Sequence, residues 1–180
     1  MINQNRLTSV ERCMNLTEVP LSFCERMTFL ASQRFGFAKG QAYLVDDKFA
    51  YQQDSSGEEP ILRQEHPAGT VVSRREMVCG RWGDLCDGNL PDGYANYVAG
   101  VPLKLPSGCV VGALCIYNHE ELPVTADDFQ WLATLVAAAY DFQIQAEDLQ
   151  ETGARLGEDI ETVTTQTDLF RRTLLRKEAA

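Results

Sequence analysis

The chain has 180 residues, of which 44% are hydrophobic and 23% charged, and its formal net charge is −10. That length fits one domain with an appendage, and the acidic balance argues against nucleic-acid phosphate or an anionic membrane surface as partner, since both need a positive face. No apolar run reaches the roughly 18 residues that a membrane-spanning helix needs, and Met1–Glu11 is polar where a secretory signal would be apolar, so a cytoplasmic location is expected.

Residues 1–36 read as an N-terminal helical segment. Thr8 or Ser9 can cap a first helix carrying Val10, Cys13 and Met14, and Thr17-Glu18-Val19-Pro20 marks a second start. Leu21, Cys24, Met27 with Thr28, Leu30 and Ala31 recur at three and four, an amphipathic stripe read as core, and Gly36 ends it. Strands are predicted at Gln41–Val45 and Lys48–Gln53 around an Asp46-Asp47 turn, followed by a solvated Ser-Gly-Glu loop. Ile61–Gln64 reads as a short third strand, Pro67–Met77 as a short helix, and Met77–Trp82 as strand again.

Asp84–Gly93 (DLCDGNLPDG) is too rich in acids, Gly and Pro to be regular. A loop of this kind is a candidate pocket wall. The proposed ligand-binding residues are therefore Trp82, Asp84, Cys86, Tyr94 and Tyr97. Asp84, Asp87, Asn89 and Asp92 supply oxygens of the kind calcium takes, but their spacing fails the EF-hand pattern.

Tyr97–Leu105 and Cys109–Tyr117 are two nearly continuous apolar runs joined by Pro106-Ser107-Gly108. The pattern predicts an antiparallel hairpin whose strands are covered on both faces. Tyr97-Val98-Ala99-Gly100-Val101-Pro102-Leu103, then Gly108, Gly112-Ala113-Leu114-Cys115-Ile116-Tyr117-Asn118 and Leu122-Pro123-Val124-Thr125, resembles the GAF domain of sensory and signalling proteins. Weaker similarity covers residues 7–145. Asn118 stands where that branch usually has Asp, no Arg follows Pro123, and the segment from His66 to Asn96 is shortened. The resemblance implies an α/β (α+β) fold with a central antiparallel sheet and flanking helices, and a small-molecule sensor domain over 37–145.

Thr125 and Asp128 open the last helix. Leu132, Leu135, Ala139, Phe142, Ala146, Leu149, Gly153, Leu156, Ile160, Val163, Thr167, Phe170 and Leu174 then alternate at three and four, a coiled-coil seam. Gly153 and Gly157 each cost about 1 kcal/mol against Ala in a helix, and Arg171, Arg172, Arg176 and Lys177 suit its negative end. Residues 146–180 read as a signalling helix, with Leu149, Leu156, Ile160, Val163, Phe170 and Leu174 at a homodimer interface.

No catalytic constellation, phosphate loop or metal motif stands out. The six cysteines form no C-x-x-C pair and are expected reduced, most as small core residues. His66 and His119 are expected to be exposed rather than haem or metal ligands, and Asp87 after Cys86 argues against a covalently held bilin. The expected function is a small-molecule sensor or regulatory module with an unidentified ligand, acting through a dimeric C-terminal helix on a downstream signalling protein or domain. The alternatives are a structural dimerisation module whose pocket is filled by its own side chains, and a GAF-type free methionine-(R)-sulfoxide reductase. Val78-Cys79-Gly80 and Cys86-Asp87 resemble fragments of that enzyme's cysteine motifs, but they lie too close together.

Overall fold

The computed structural model describes residues 2–16, 21–54, 58–121 and 125–178. The helix start expected at Thr17–Pro20, the loop at 55–57 and the motif residues Leu122–Val124 lie outside them. So do the side chains of Leu21, Ala31, Asp128, Phe170 and Leu174 and those of the basic residues at 171–177.

The elements are α1 (Ile2–Met14), α2 (Leu21–Phe35), β1 (Lys39–Val45), β2 (Phe49–Gln52), β3 (Ile61–Leu62), α3 (Pro67–Arg74), β4 (Val78–Arg81), α4 (Trp82–Leu85), β5 (Tyr97–Lys104), β6 (Val110–Asn118) and α5 (Ala126–Glu178). One six-stranded sheet has the order β3-β2-β1-β6-β5-β4, and each neighbouring pair is antiparallel. The β5–β6 hairpin lies inside it. Its turn closes through Gly108 N–H on the Leu105 carbonyl at 2.8 Å, with Gly108 at φ +86°, a conformation that needs no Cβ. The register steps between Leu103↔Gly112 and Lys104↔Val110, leaving Val111 as an extra residue. Side-chain alternation shifts there, so that Val111 and Leu114 both reach the same core cluster. At Gly112 a Cβ would collide with the Tyr43 carbonyl of β1.

Both faces of the sheet are covered, as the apolar runs require. One face carries Leu44, Val101, Leu103, Leu114 and Ile116 against α1, α2 and the first part of α5, including Val10, Cys24, Leu132, Val136 and Tyr140. The other carries Tyr43, Val98, Cys115 and Tyr117 against Val71 and Val72 of α3 and against Trp82. Each such buried side chain contributes about 1.5–3 kcal/mol through loss of contact with water. Residues 1–144 form one compact unit and residues 145–180 a second.

Several local expectations need correction. Thr8 and Ser9 do not start a helix. α1 is already running, and their hydroxyls donate to the Gln4 and Asn5 carbonyls one turn back. Leu30 is 56% exposed, because α2 turns Cys24 and Thr28 to the sheet instead. The third strand stops at Leu62 and passes into a 3-10 turn, Arg63–Glu65. Asp84 lies in the single turn of α4 rather than in irregular chain. Only three cysteines are buried, Cys13, Cys24 and Cys115, while Cys79 is exposed and Cys86 and Cys109 are intermediate.

At the start of α5 the core takes Phe129, Leu132, Ala133, Val136, Ala137, Tyr140 and Ile144. Leu135 and Phe142, which the heptad reading put in one seam with Leu132, are 41% and 72% exposed. In the second unit Leu149, Leu156, Ile160 and Val163 are 73%, 56%, 66% and 61% exposed. Among the described residues, no helix is long and apolar enough to cross a membrane.

Candidate functional site

The second face of the sheet carries a cluster of polar aromatic side chains. Tyr43 of β1 and Tyr117 of β6 point to this face and are fully buried. His66 joins them, and its full burial overturns the expectation of an exposed histidine. The cause is local. His66 is the N-cap of α3, in extended conformation before Pro67, and its Nδ1 accepts from Ala68 N–H at 3.1 Å. Pinned there, the ring is held 4.2 Å from Tyr43 and 5.1 Å from Trp82, centre to centre.

Because Nδ1 accepts, the imidazole proton is on Nε2, which donates to Tyr117 Oη at 3.3 Å. Tyr117 donates to Tyr43 Oη at 3.2 Å. Tyr43 lies 3.3 Å from both Gln52 Oε1 and Tyr94 Oη, and Tyr94 donates to Gln52 Oε1 at 2.9 Å. Gln52 and Gln41 then donate to Asp54 Oδ2 at 2.6 and 3.0 Å. A continuous chain thus runs from the buried histidine to a carboxylate. Burial drives the His66 pKa down to about 3 and raises the Tyr43 and Tyr117 phenols well above their usual value. All three are neutral near pH 7, so the cluster offers oriented hydrogen bonds and ring faces rather than a ready acid or base.

Tyr94 closes the cluster. It is partly exposed and comes from irregular chain after α4, where its ring packs 4.8 Å from Tyr117 and 6.2 Å from Trp82. Lys39 Nζ sits 3.8 Å above the Tyr94 ring, a cation–π contact. The loop is tied down by Trp82 Nε1 to the Gly88 carbonyl at 2.8 Å and by Asp87 N–H to the Gln64 carbonyl at 3.1 Å.

Of the five residues proposed from the sequence, Trp82 and Tyr94 meet in this cluster, and Cys86 packs at its margin with Sγ 3.5 Å from the Trp82 carbonyl. Asp84 is exposed. Tyr97 is two residues before Ala99 on β5 and shares its face, opposite to the cluster. It lines a separate groove of about 500 Å³ with Arg81, Asn96, His119 and two glutamates. Burial, and then the Glu121 carboxylate, raise its phenol. A further groove of about 480 Å³ lies at the β2–α3 edge, between Lys48, Phe49, Leu62, Arg63 and Arg74. The sequence reading missed Tyr43, Gln52, His66 and Tyr117. A His-Pro helix start was the one local signal for any of them.

The opposite face has its own polar link. Tyr140 of α5 donates to Gln53 Oε1 at 2.9 Å, and Cys24 Sγ lies 3.9 Å from the same phenol. Among the described residues, every buried side-chain nitrogen and oxygen has a partner, and no group of three His, Cys, Asp or Glu could hold a metal.

The fold is GAF-like, with a long C-terminal helix. Free methionine-R-sulfoxide reductase from Neisseria meningitidis, solved with its substrate, superposes with a TM-score of 0.57 at 17% identity, over 81% of this chain and 89% of that one. The GAF domain of the Acinetobacter phosphoenolpyruvate-protein phosphotransferase gives 0.54 at 16% identity, over 84% and 98%. The second GAF domain of DevS from Mycobacterium smegmatis gives 0.52 at 14% identity, over 72% and 99%. No protein-family model matches the sequence, and neither does any curated protein. At these identities the likeness is one of fold.

Proposed function

We propose that this chain is a cytoplasmic GAF-type sensor or regulatory module that reports a small molecule through a dimeric C-terminal helix. One observation carries the reading. The sheet face under α3 holds a hydrogen-bonded set of polar rings, the buried Tyr43, His66 and Tyr117, and it is closed by Tyr94, the partly exposed ring of the set, borne on the irregular chain after α4. A purely structural core is made more simply from apolar side chains, which need no partners. A ligand would take the place of Tyr94, bind against Trp82 and Tyr117, and inherit the acceptor at Gln52. Gln52 ends β2 and neighbours Gln53, which holds Tyr140 of α5, so the end of that strand reaches both the site and the output helix. Couplings of this kind are typically about 1–3 kcal/mol. Cys86 would border the ligand and Asp84 the entrance, while Tyr97 belongs to the other face.

Native mass spectrometry of the purified protein tests this. A retained small molecule, lost together with a change in tryptophan fluorescence, supports it. A clean apo mass across cell extracts and ligand libraries favours the second reading, a ligand-free dimerisation module, which the already filled ring cluster supports. For the reductase reading, burial raises both the Cys79 and the Cys86 thiol, away from the thiolate that such chemistry needs. Turnover of free methionine sulfoxide with a thiol reductant would reinstate it.

A further inference from the structure

The second unit is a helix whose described side chains from 148 to 167 are all exposed. Leu149, Leu156, Ile160 and Val163 form an apolar stripe along it. Charge is segregated along the same helix. From Glu147 to Glu161 there are six acids against a single base, Arg155, whereas from Phe170 to Lys177 there are four bases and no acid. Side-by-side pairing in parallel would set the acidic half against its own copy and the basic half likewise. Reversal sets acid against base, and it also opposes the two helix dipoles.

The seam points the same way. Reversing the helix about the midpoint between Glu161 and Thr162 places Leu149 opposite Leu174, Gly153 opposite Phe170, Leu156 opposite Thr167 and Ile160 opposite Val163. Each layer then joins residues of complementary or equal size, and the hole at Gly153 receives Phe170, the one aromatic of the seam between 149 and 174. A Cβ at Gly153 would meet nothing within 4 Å in the single chain, so that space is open to a partner. A parallel pair stacks Gly153 on Gly153 and Phe170 on Phe170, one layer void and the next crowded, against the even packing that cores require.

We infer that a second copy of this chain docks antiparallel on the 149–174 stripe, with its basic end against the acidic segment of the first. This rests on the pairing reading above and adds to it a direction and a register.

The chain has no cysteine after Cys115, which permits a direct test in the full-length protein carrying Cys79→Ser, Cys86→Ser and Cys109→Ser. Leu149→Cys and Leu174→Cys chains are oxidised separately and as an equimolar mixture. Disulfide-linked dimers only in the mixture are the expected result. A dimer from Leu149→Cys alone overturns the antiparallel arrangement and leaves dimerisation intact. A second measurement leaves the seam untouched: Glu147→Cys carrying a spin label on the same background. At 1.5 Å per residue the two labels lie roughly 45 Å apart in the antiparallel pair and within about 20 Å in a parallel one, where helix axes are close. A short distance sinks the inference. No inter-label distance, with a monomer in sedimentation, sinks the pairing reading as well.

Discussion

Gln52 and Gln53 are consecutive residues that serve opposite faces of the sheet. Gln52 Oε1 accepts from Tyr94 at 2.9 Å in the aromatic cluster, and Gln53 Oε1 accepts from Tyr140 of α5 at 2.9 Å. Alternation along extended chain sends neighbouring side chains to opposite sides, so the end of β2 is where the candidate site and α5 share a backbone. Tyr140→Phe removes the donor and leaves a buried acceptor without its partner. The expected cost is about 1–3 kcal/mol, read as a lowered urea midpoint. If the end of β2 is a link, Tyr140→Phe on a Trp131→Phe background also changes the fluorescence of Trp82 on the other face. A stability loss with unchanged fluorescence would break the connection.

Tyr94→Ala removes a partly exposed ring from the cluster. A full large-to-small change in a core costs about 3–5 kcal/mol, and the smaller burial of Tyr94 brings the expected loss to the lower end or below. The vacated space is bounded by Tyr43, Trp82 and Tyr117, with the Gln52 acceptor at its edge. p-Cresol has the size and the hydroxyl of the missing side chain. It is expected to raise the melting temperature of Tyr94→Ala and leave the wild type unchanged. Equal response of both proteins would mean that the ring is not what fills the site.

The pH dependence follows from His66. Its folded pKa is about 3, lowered by burial from an ordinary 6.5. Between these values the unfolded chain binds a proton that the folded chain refuses. Stability from this group is complete above about pH 6.5 and falls as pH drops toward 3, by about 1.4 kcal/mol per pH unit where the difference is full. His66→Asn keeps an N-cap acceptor for Ala68 N–H and abolishes the titration. Its urea midpoint is expected to be lower at pH 7, through loss of the Tyr117 contact, and flatter between pH 6 and 4.5. A wild-type slope that survives in His66→Asn would assign it to carboxylates.

What was legible in the sequence was local. The β5–β6 hairpin shows itself through Pro106-Ser107-Gly108 and two continuous apolar runs, and α3 through Pro67 at its first turn. The cluster was not legible, because its members meet across the sheet: Tyr117 lies 51 residues from His66 and 74 from Tyr43. Each sits in a segment that reads equally well as ordinary strand or helix start. The face of α5 was half legible. Spacings of three and four fit either a coiled-coil seam or a core-facing stripe, which differ by a small angular drift per turn. Here the offset is larger than drift: the sheet claims Phe129, Ala133, Val136, Ala137 and Tyr140, with Leu132 at the margin of that face, and at about 100° per residue Leu135 and Phe142 fall on the far side of the helix.

Leu156→Asp tests what the exposed stripe of the second unit is for. Leu156 is 56% exposed in the single chain. In a pair it would be buried twice, once from each copy, at about 1.5–3 kcal/mol per side chain. Aspartate forfeits both contributions and adds a charge that the seam cannot pair. Since 1.4 kcal/mol is a tenfold change in affinity, the dimer should weaken by at least 100-fold, and sedimentation at micromolar concentration should show monomers. The fold of the first unit has no stake in this residue, so its thermal unfolding should stay in place. A wild-type chain that sediments as a monomer at high concentration would leave the apolar stripe without a partner of its own kind and remove the route by which the sheet face could signal.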